Sequence, residues 1–230
     1  MPRVLATFVI VAAIWLASAG AAESGTQVAC FRILHASPDA GNIDVYINRT
    51  RVAEDIAYTQ FSQRRWCIAA TIALARAFPA GADPNATPPL VSSNVTMAFG
   101  RSYVIAIADR LQQLQVVVLE NPTLPPVGRF SLRVAHLAVG IGGLDLAVTG
   151  GPLWLSGVVF PTAQTTTQPA GRYALELREA GTPNVLASLG ESTFRSRERK
   201  TIYVLAPSAA ADDAGRAVAL PVITLVEPDR

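Results

Sequence analysis

The residues best suited to chemistry in this sequence are two histidines, each followed nine residues later by an aspartate. His35 precedes Asp44, and His136 precedes Asp145. A histidine oriented by a carboxylate is the base half of a hydrolase triad, and Ser37 lies two residues after His35, where it could supply the nucleophile. This combination makes a hydrolase the catalytic hypothesis.

A structural hypothesis explains the same residues. An arginine stands three residues before each histidine, and a strand with Arg-x-x-His facing an aspartate on the next strand can form a buried network that fixes register. The second set has Ala138 where the first has Ser37, so a repeated catalytic set would be incomplete. We therefore predict no enzymatic activity and two structural polar networks, made of Arg32, His35, Asp44, Arg133, His136 and Asp145.

The sequence predicts no metal and no cofactor. Its only two histidines are expected in different domains, without a cysteine or carboxylate at ligand spacing, whereas zinc needs three or four ligands. Asp212-Asp213 alone is too small a cluster of acids for calcium.

Two groups of side chains are candidates for binding. Tyr58, Phe61 and Trp66 form the densest aromatic cluster after the N-terminal segment. They could stack on sugars, although aromatic rings buried between sheets are the usual case. The basic run of Arg195, Arg197, Arg199 and Lys200 could contact anionic lipid headgroups or acidic polysaccharide, or could be a solvated hairpin tip. The proline-rich stretch from Pro79 to Ser93 predicts a surface loop, a further place for recognition.

A repeat organises the elements that must position these residues. The arginine, histidine and aspartate recur at one offset of 101 residues, and Tyr103-Val-Ile-Ala recurs as Tyr203-Val-Leu-Ala at an offset of 100. Short runs rich in β-branched and aromatic residues lie between Gly, Pro, Asn and Asp turns. Six or seven such strands per hundred residues indicate a β-sandwich in each half. The predicted strands are 27–35, 42–48, 66–78, 94–99, 102–108, 114–119, 130–137, 144–149, 172–179, 185–189, 201–205 and 218–226.

Two further predictions concern the side-chain orientation of one strand and the position of one turn. In 66–78, Ile68, Ile72, Leu74 and Phe78 are predicted on one face and the alanines on the other. Pro169-Ala170-Gly171 is predicted to be a hairpin turn.

The domain boundaries follow from prolines and from the N-terminus. Residues 1–21 read as a cleaved signal peptide, with Arg3 before an apolar run that is too short to span a membrane. We predict domain 1 at 25–121, a stiff proline-rich linker at 122–127, and domain 2 at 128–230.

Composition limits the partners and the location. The chain has 230 residues, 50% of them hydrophobic, and a net charge of +2, which argues for a packed core and against nucleic acid. We expect an exported protein, periplasmic or extracellular, with no transmembrane helix in the mature form. In such a compartment Cys30 and Cys67 are expected to form a disulfide, with two buried thiols as the alternative.

Specific runs in the sequence also resemble a known family. The run Arg32 to Ala40, with its His-Ala-Ser-Pro-Asp-Ala, and the run Ile43 to Asn48 resemble the opening of the bacterial family called domain of unknown function 4397. Pro169 to Arg178 is similar to that family's middle hairpin. The second opening departs from the pattern, reading His136-Leu-Ala-Val-Gly, so the second copy is divergent.

The resemblance implies an exported β-sandwich of the immunoglobulin-like kind and no established activity. Together with the repeat, it predicts an all-β protein of two tandem, antiparallel, immunoglobulin-like sandwich domains after a signal peptide. The predicted role is a non-catalytic interaction or structural module of the cell envelope or extracellular space. A glycan-binding module is the alternative, and candidate partners are an envelope protein, a polysaccharide or a lipid headgroup.

Overall fold

The chain folds almost entirely into β-strands. A computed structural model describes residues 27–207 and the backbone of 222–226, so the predicted signal peptide lies outside the described residues. The first half contains β1 (Ala29–Ala36), β2 (Ile43–Ile47), β3 (Thr50–Ile56), β4 (Trp66–Ile68), β5 (Ile72–Pro79), β6 (Val91–Thr96), β7 (Ser102–Ala108) and β8 (Gln115–Glu120). The second half contains β9 (Arg129–Leu137), β10 (Leu144–Val148), β11 (Leu153–Val158), β12 (Ala163–Pro169), β13 (Gly171–Glu179), β14 (Val185–Phe194), β15 (Arg199–Leu205) and β16 (Val222–Val226).

The strands form four four-stranded sheets. In the first half the orders are β4-β1-β7-β8 and β3-β2-β5-β6. In the second half they are β12-β9-β15-β16 and β11-β10-β13-β14. Adding eight to each strand number of the first half gives the second, so the two halves have the same topology. The prediction of an all-β sandwich fold is confirmed.

Each half departs from a purely antiparallel arrangement at one place. β1 and β7 pair in parallel from Cys30↔Ser102 to Ala36↔Ala108, and β9 and β15 pair in parallel in the same way. A parallel pair needs a crossover between its strands. Here the crossover is the rest of the half, which visits the other sheet before returning. The remaining strand pairs of the described residues are antiparallel.

Side chains alternate along β1 and β7 between two hydrophobic cores. Ile33 and Ile105 point into a first core, against β2 and β5 of the same half, while Leu34 and Val104 point the opposite way. Successive residues of a strand face opposite sides of the sheet, so a strand without exposed residues must be covered on both sides. The second half supplies the other cover.

A central core joins the two halves, between the sheet that contains β1 and the sheet that contains β9. Its buried members are Leu34, Ala36, Val104, Ala106, Ala108, Val117 and Leu119 from the first half, and Ala135, Leu137, Tyr203 and Leu205 from the second. The other faces of β9 and β15 pack into a second core against β10 and β13. The four sheets therefore stack as four layers around three cores.

The predicted strand 66–78 is wrong in extent and in orientation. It is two strands, β4 and β5, which lie in different sheets. In β5 the buried face is Ala73, Ala75 and Ala77, whereas Ile72 is 63% exposed and Leu74 lies at the surface. Phe78, predicted on the apolar face with them, is buried. Small side chains thus form the core face of β5, which pairs with β2 and β6.

Other elements also differ from the predictions. β3, β11 and β12 are strands that the sequence pattern did not reveal. Pro169-Ala170-Gly171 joins β12 to β13, which lie in different sheets, so it is a corner between layers and not a hairpin. The predicted loop 79–93 is shorter, because β6 begins at Val91 and the Leu90 amide already donates to the Ala77 carbonyl.

The predicted disulfide is confirmed. Cys30 and Cys67 are direct cross-strand partners of β1 and β4, and their sulfurs are bonded. The bridge fixes a three-residue strand that has little other pairing.

Candidate functional site

An open groove of about 510 Å³ lies along β3, the edge strand of the first outer sheet. We call it the β3 groove. It is lined by 51–56 of β3, by Gln60, Phe61, Gln63 and Arg64 of the connection to β4, and by Trp66.

The groove exists because the chain between β3 and β4 leaves the regular sheet. β4 pairs with only three residues of β1, and residues 57–65 contact β1 through an isolated bridge between Leu34 and Phe61 and a few further hydrogen bonds. In the second half β12 pairs with β9 over seven residues, from Ala163 to Pro169. The edge position beside β9 is thus filled by a regular strand, whereas the equivalent position beside β1 is filled mostly by the irregular segment 57–65, which we call the groove connection.

Buried Ser62 holds that connection against β1. Its backbone amide donates to the Ile33 carbonyl at 2.8 Å, and its hydroxyl accepts from the Ile33 amide at 3.1 Å. The Arg32 guanidinium donates to the Ser62 carbonyl at 3.0 Å. These bonds replace the ladder that a longer β4 would make, so the connection is ordered without being a strand.

The three predicted aromatic residues separate in the structure. Phe61 and Trp66 line the groove, and the Trp66 indole donates to the Val52 carbonyl of β3 at 2.7 Å. Phe61 packs edge-on against Tyr203, with 5.4 Å between the ring centroids. The Arg32 guanidinium lies 5.0 Å from the centroid of the Phe61 ring. Tyr58 turns away, and its hydroxyl donates to the Ala206 carbonyl of the second half. Burial raises the pKa of the Tyr58 phenol.

Acidic, basic and amide side chains line the groove. The Arg51 guanidinium pairs with Glu54 at 2.8 Å and lies 3.5 Å from buried Asp44. Asp55 accepts from the Asn42 amide at 2.8 Å. Gln63 and Arg64 are exposed at the rim. The lining offers hydrogen-bond donors and acceptors beside two aromatic rings, with acids and bases balanced.

His35 is buried and fastens a loop. Its Nε2 lies 2.6 Å from the Gly41 carbonyl oxygen, and its Nδ1 lies 3.3 Å from the Ser37 amide nitrogen. A carbonyl only accepts and an amide N–H only donates, so the ring is neutral with its proton on Nε2. Burial lowers the pKa of His35, against the smaller raising effect of the bond to Gly41.

Asp44 is buried and holds one residue of the irregular strand β3 and one turn. It accepts from the amides of Asp55 in β3 at 2.7 Å and of Gly81, in the turn after β5, at 3.2 Å. Both donors have positive φ, 47° and 75°. The carboxylate therefore compensates backbone amides at a bulge and at a turn, where the regular ladder is interrupted.

The second half repeats both anchors. His136 Nε2 lies 2.8 Å from the Gly142 carbonyl oxygen, and the Ala138 amide donates to its Nδ1 at 3.2 Å. Asp145 accepts from Gly157 at 2.7 Å and from Gly181 at 2.9 Å. Burial lowers the pKa of His136 as well.

The histidines and aspartates therefore hold separate loops instead of forming His–Asp pairs. Each hydrogen bond that the structure gives His35 and Asp44 in the described residues goes to backbone, and the Arg51 contact adds one ion pair. Ser37 meets His35 through its amide, and its hydroxyl lies 3.3 Å from Asp39. In a catalytic triad the serine hydroxyl is hydrogen-bonded to the imidazole, and the imidazole is hydrogen-bonded to the carboxylate. Ser37, His35 and Asp44 do not make these two hydrogen bonds.

The two arginines of the predicted networks act at different places. Arg32 binds the groove connection through Ser62, as described above. Arg133 donates to Thr201 and Tyr203 of the second half and to the Glu120 carbonyl and the Asn121 side chain at the end of the first. Arg133 thus fastens the start of the linker to the central layers.

The predicted basic run divides into exposed and buried residues. Arg195 and Arg197 are exposed in the β14–β15 turn. Arg199 is buried and donates to the Pro122 carbonyl of the linker at 3.3 Å. Lys200 lies 3.5 Å from Glu198 and 4.4 Å from the Phe194 ring centroid.

The described residues contain no group of three or more His, Cys, Asp or Glu side chains placed to hold a metal ion. No helical segment among them has the length and apolarity needed to cross a bilayer.

Fold and sequence together define the class of the protein as a layered all-β sandwich protein with an irregular groove in one half. The chain belongs to the family described as Domain of unknown function (DUF4397), whose match covers residues 29–147, just over half of its length. That match includes all of the first half and extends through β9 into β10. No curated protein matches the chain.

Two solved structures show a weak likeness. One is the Bacillus anthracis TIE protein, at 9% identity and a TM-score of 0.25, covering 79% of this chain and 34% of that one. The other is CBMbc, a family CBM26 module from Eubacterium rectale Amy13K in complex with maltoheptaose, at 12% identity and a TM-score of 0.27, covering 87% and 98%. This chain spans about a third of the TIE chain. At such TM-scores neither likeness carries an argument.

Sequence reasoning missed the polar lining of the groove, because it missed β3. The signal was present in Thr50 to Ile56, where buried Val52, Ala53 and Ile56 alternate irregularly with charged residues. Two bulges in the β2–β3 pairing break the period of two that would have revealed a strand.

Proposed function

We propose that the protein is a non-catalytic, exported module of the cell envelope or extracellular space that binds a partner through the β3 groove. The observation that carries the proposal is the asymmetry between the halves. Both halves keep the same strand order and the same histidine and aspartate anchors, yet the groove connection replaces a regular strand in the first half only. Dedicated contacts from Ser62 and Arg32 hold this departure in place, which supports recognition.

Chemical roles of the buried polar side chains support the non-catalytic part. His35, Asp44, His136 and Asp145 are each committed to backbone groups of turns and loops. A general base has to reach a proton on its substrate, and a neutral imidazole with both nitrogens bonded to backbone does not offer that lone pair.

Export is supported by the N-terminal sequence and by the disulfide. The sequence before the described residues has the pattern of a cleavable signal peptide, and disulfides such as Cys30–Cys67 persist mainly in oxidising compartments. We further propose that the second half is a divergent second copy of the family's domain. Its equivalent strand order, anchors and parallel pair support this.

A site-specific photocrosslinker at position 64 tests the groove. Arg64 is exposed at the rim, and Arg110 is an exposed control position far along the sequence, after β7. In cells that export the protein, a covalent adduct at position 64 and not at position 110 is expected. Adducts at both positions, or at neither, would contradict partner binding in the groove.

A glycan is the second candidate for the partner, because one observation favours it. Phe61 and Trp66 lie beside Gln60, Gln63 and Glu54 in the same groove. Aromatic rings offer flat apolar faces, and planar amides and carboxylates bind neighbouring hydroxyls with defined geometry.

Affinity electrophoresis in gels that contain soluble polysaccharides tests this candidate. Gln63→Ala is expected to restore mobility in a retarding polysaccharide, while Gln112→Ala, an exposed glutamine elsewhere, is expected to leave the retardation unchanged. Equal mobility of wild type and Gln63→Ala in every polysaccharide would eliminate glycan binding at the groove.

A further inference from the structure

A second surface lies around the β14–β15 turn, apart from the β3 groove. Arg129, Arg195 and Arg197 are exposed there, and we call them the arginine tip. The Arg197 amide donates to the Arg129 carbonyl at 2.6 Å, which brings the start of β9 against the turn. The Gly128 amide donates to the Ser196 hydroxyl at 2.8 Å. Residues distant in sequence are thus tied into one surface.

The positive charge of the tip is not neutralised within residues 27–207. Glu198, the acid of the turn, is used by Lys200 at 3.5 Å and by the Arg195 backbone amide at 2.6 Å. The ion pairs of the described residues do not include the three arginines of the tip. Arg129 instead donates to the Thr167 carbonyl, which carries no charge. The three arginines of the tip are therefore exposed, and their charges are not paired with an acid among the described residues.

An apolar side chain stands beside these charges. Val127, directly before Gly128, is 77% exposed, the highest exposure among the large hydrophobic residues of the described chain. Arg197 has a φ of 65°, in the left-handed region that non-glycine residues rarely adopt. The surface around the turn therefore combines one exposed apolar side chain with three exposed arginines.

From this arrangement we propose that the arginine tip and Val127 form a contact site for an anionic lipid surface. Guanidinium groups bind lipid phosphates, and each basic residue near an anionic bilayer adds about 1 kcal/mol. An exposed valine adds apolar contact with the interfacial region, which a soluble polyanion does not offer. The site stands independently of any groove ligand.

Cosedimentation with lipid vesicles tests the proposal, using the exported protein with its N-terminus verified by mass spectrometry. At low salt we expect binding to vesicles of 30% phosphatidylglycerol and 70% phosphatidylcholine, and little binding to phosphatidylcholine alone. Removal of two charges in Arg195→Gln/Arg197→Gln is expected to weaken binding roughly 30-fold. Val127→Ser is expected to weaken it several-fold.

Matched controls separate the site from a general charge effect and from the groove. Arg49→Gln/Arg110→Gln removes two exposed charges elsewhere and should bind like the wild type, as should the groove variant Gln63→Ala. Thermal unfolding of each variant verifies folding. Equal weakening by the Arg49/Arg110 pair would overturn the proposal, as would the absence of binding to anionic vesicles. Binding to soluble dextran sulfate without binding to vesicles would show a polyanion site instead.

Discussion

The same two side chains do the same work in both halves of the molecule. A neutral histidine joins the end of the first strand to the following loop, and an aspartate accepts from two backbone amides with positive φ. In the first half these residues are His35 and Asp44. Backbone amides at such bulges and turns lie outside the regular strand pairing, and a buried amide without a partner is costly. The chemistry that suggests catalysis thus serves the turns.

The buried histidines predict how stability depends on pH. Burial lowers the folded-state pKa of His35 and His136 below the usual 6.5, so the unfolded chain binds protons that the folded chain does not. The stability is therefore fully present above about pH 6.5 and is lost as the pH falls from there towards the folded pKa. Each histidine contributes at most about 1.4 kcal/mol per pH unit. Urea unfolding between pH 5 and 8 measures it.

A variant isolates this effect from that of the carboxylates. His35→Gln/His136→Gln is expected to be less stable at pH 8 but to have a flatter dependence between pH 5.5 and 7. If the double variant keeps the wild-type slope in that interval, the two histidines are not its source.

The sequence predicted which residues are buried at this scale better than what they contact. Burial of His35, Asp44, His136 and Asp145 follows from their place on strands in an apolar pattern. The partner carbonyl of Gly41 and the amide of Gly81 could not be predicted, because they depend on how loops close over the sheet. The identity and spacing of these residues in the sequence do not show how the loops close over the sheet.

At the scale of elements, strands with a regular period were the predictable ones. β1, β7, β9 and β15 are close to their predicted ranges because each is a nearly continuous apolar run covered on both faces. β12 was missed because its Thr-rich sequence carries no apolar alternation, and β5 was misoriented because its core face is alanine. Edge strands are selected by pairing and by solvent, which leave a weak signature in sequence.

β4 is the element with the least support of its own, and the disulfide predicts its behaviour. The Cys30–Cys67 bridge closes a sequence separation of 37 residues. On the chain-entropy model such a cross-link stabilises by about 3–4 kcal/mol. Cys30→Ala/Cys67→Ala should therefore lose about that much free energy of unfolding, measured with urea at pH 7.5.

Loss of the bridge should also reach the groove through Trp66, the neighbour of Cys67. Hydrogen exchange of β4 and of residues 57–65 is expected to speed up in the double variant more than exchange of β7. Uniform acceleration across the chain would show that the bridge stabilises the fold without a special role at β4.

At the scale of the whole molecule, the repeat predicts two related domains and leaves open whether they pack together, whereas the structure shows shared layers. Self-similarity reveals a repeated topology but not the contact between copies, because both sheets of a sandwich read as apolar. Leu34, Leu119 and Leu137 would have been equally compatible with two separate cores. The linker prolines lie between β8 and β9, which belong to layers that are packed together.

The shared layers predict that both halves unfold together. Leu137→Ala removes a fully buried side chain from the central core and is expected to cost about 2–5 kcal/mol. Trp66 reports on the first half and Trp154 on the second, so Trp154→Phe and Trp66→Phe variants, each combined with Trp15→Phe, isolate each reporter. Coincident unfolding curves are expected with and without the Leu137 substitution. Separate transitions would mean that the central core does not couple the halves.

The central core also determines the smallest gene segment of this protein that recombination can transfer as a stable folded unit. A gene segment for one half would encode a sandwich with one apolar sheet face open to water, including Leu34, Val104 and Leu119 or the opposing Leu137 and Leu205. Such a product would aggregate or recruit another chain. Lineages that shuffle this architecture are therefore expected to inherit both halves as one cassette, and mutations on the two facing sheets are expected to be accepted in pairs.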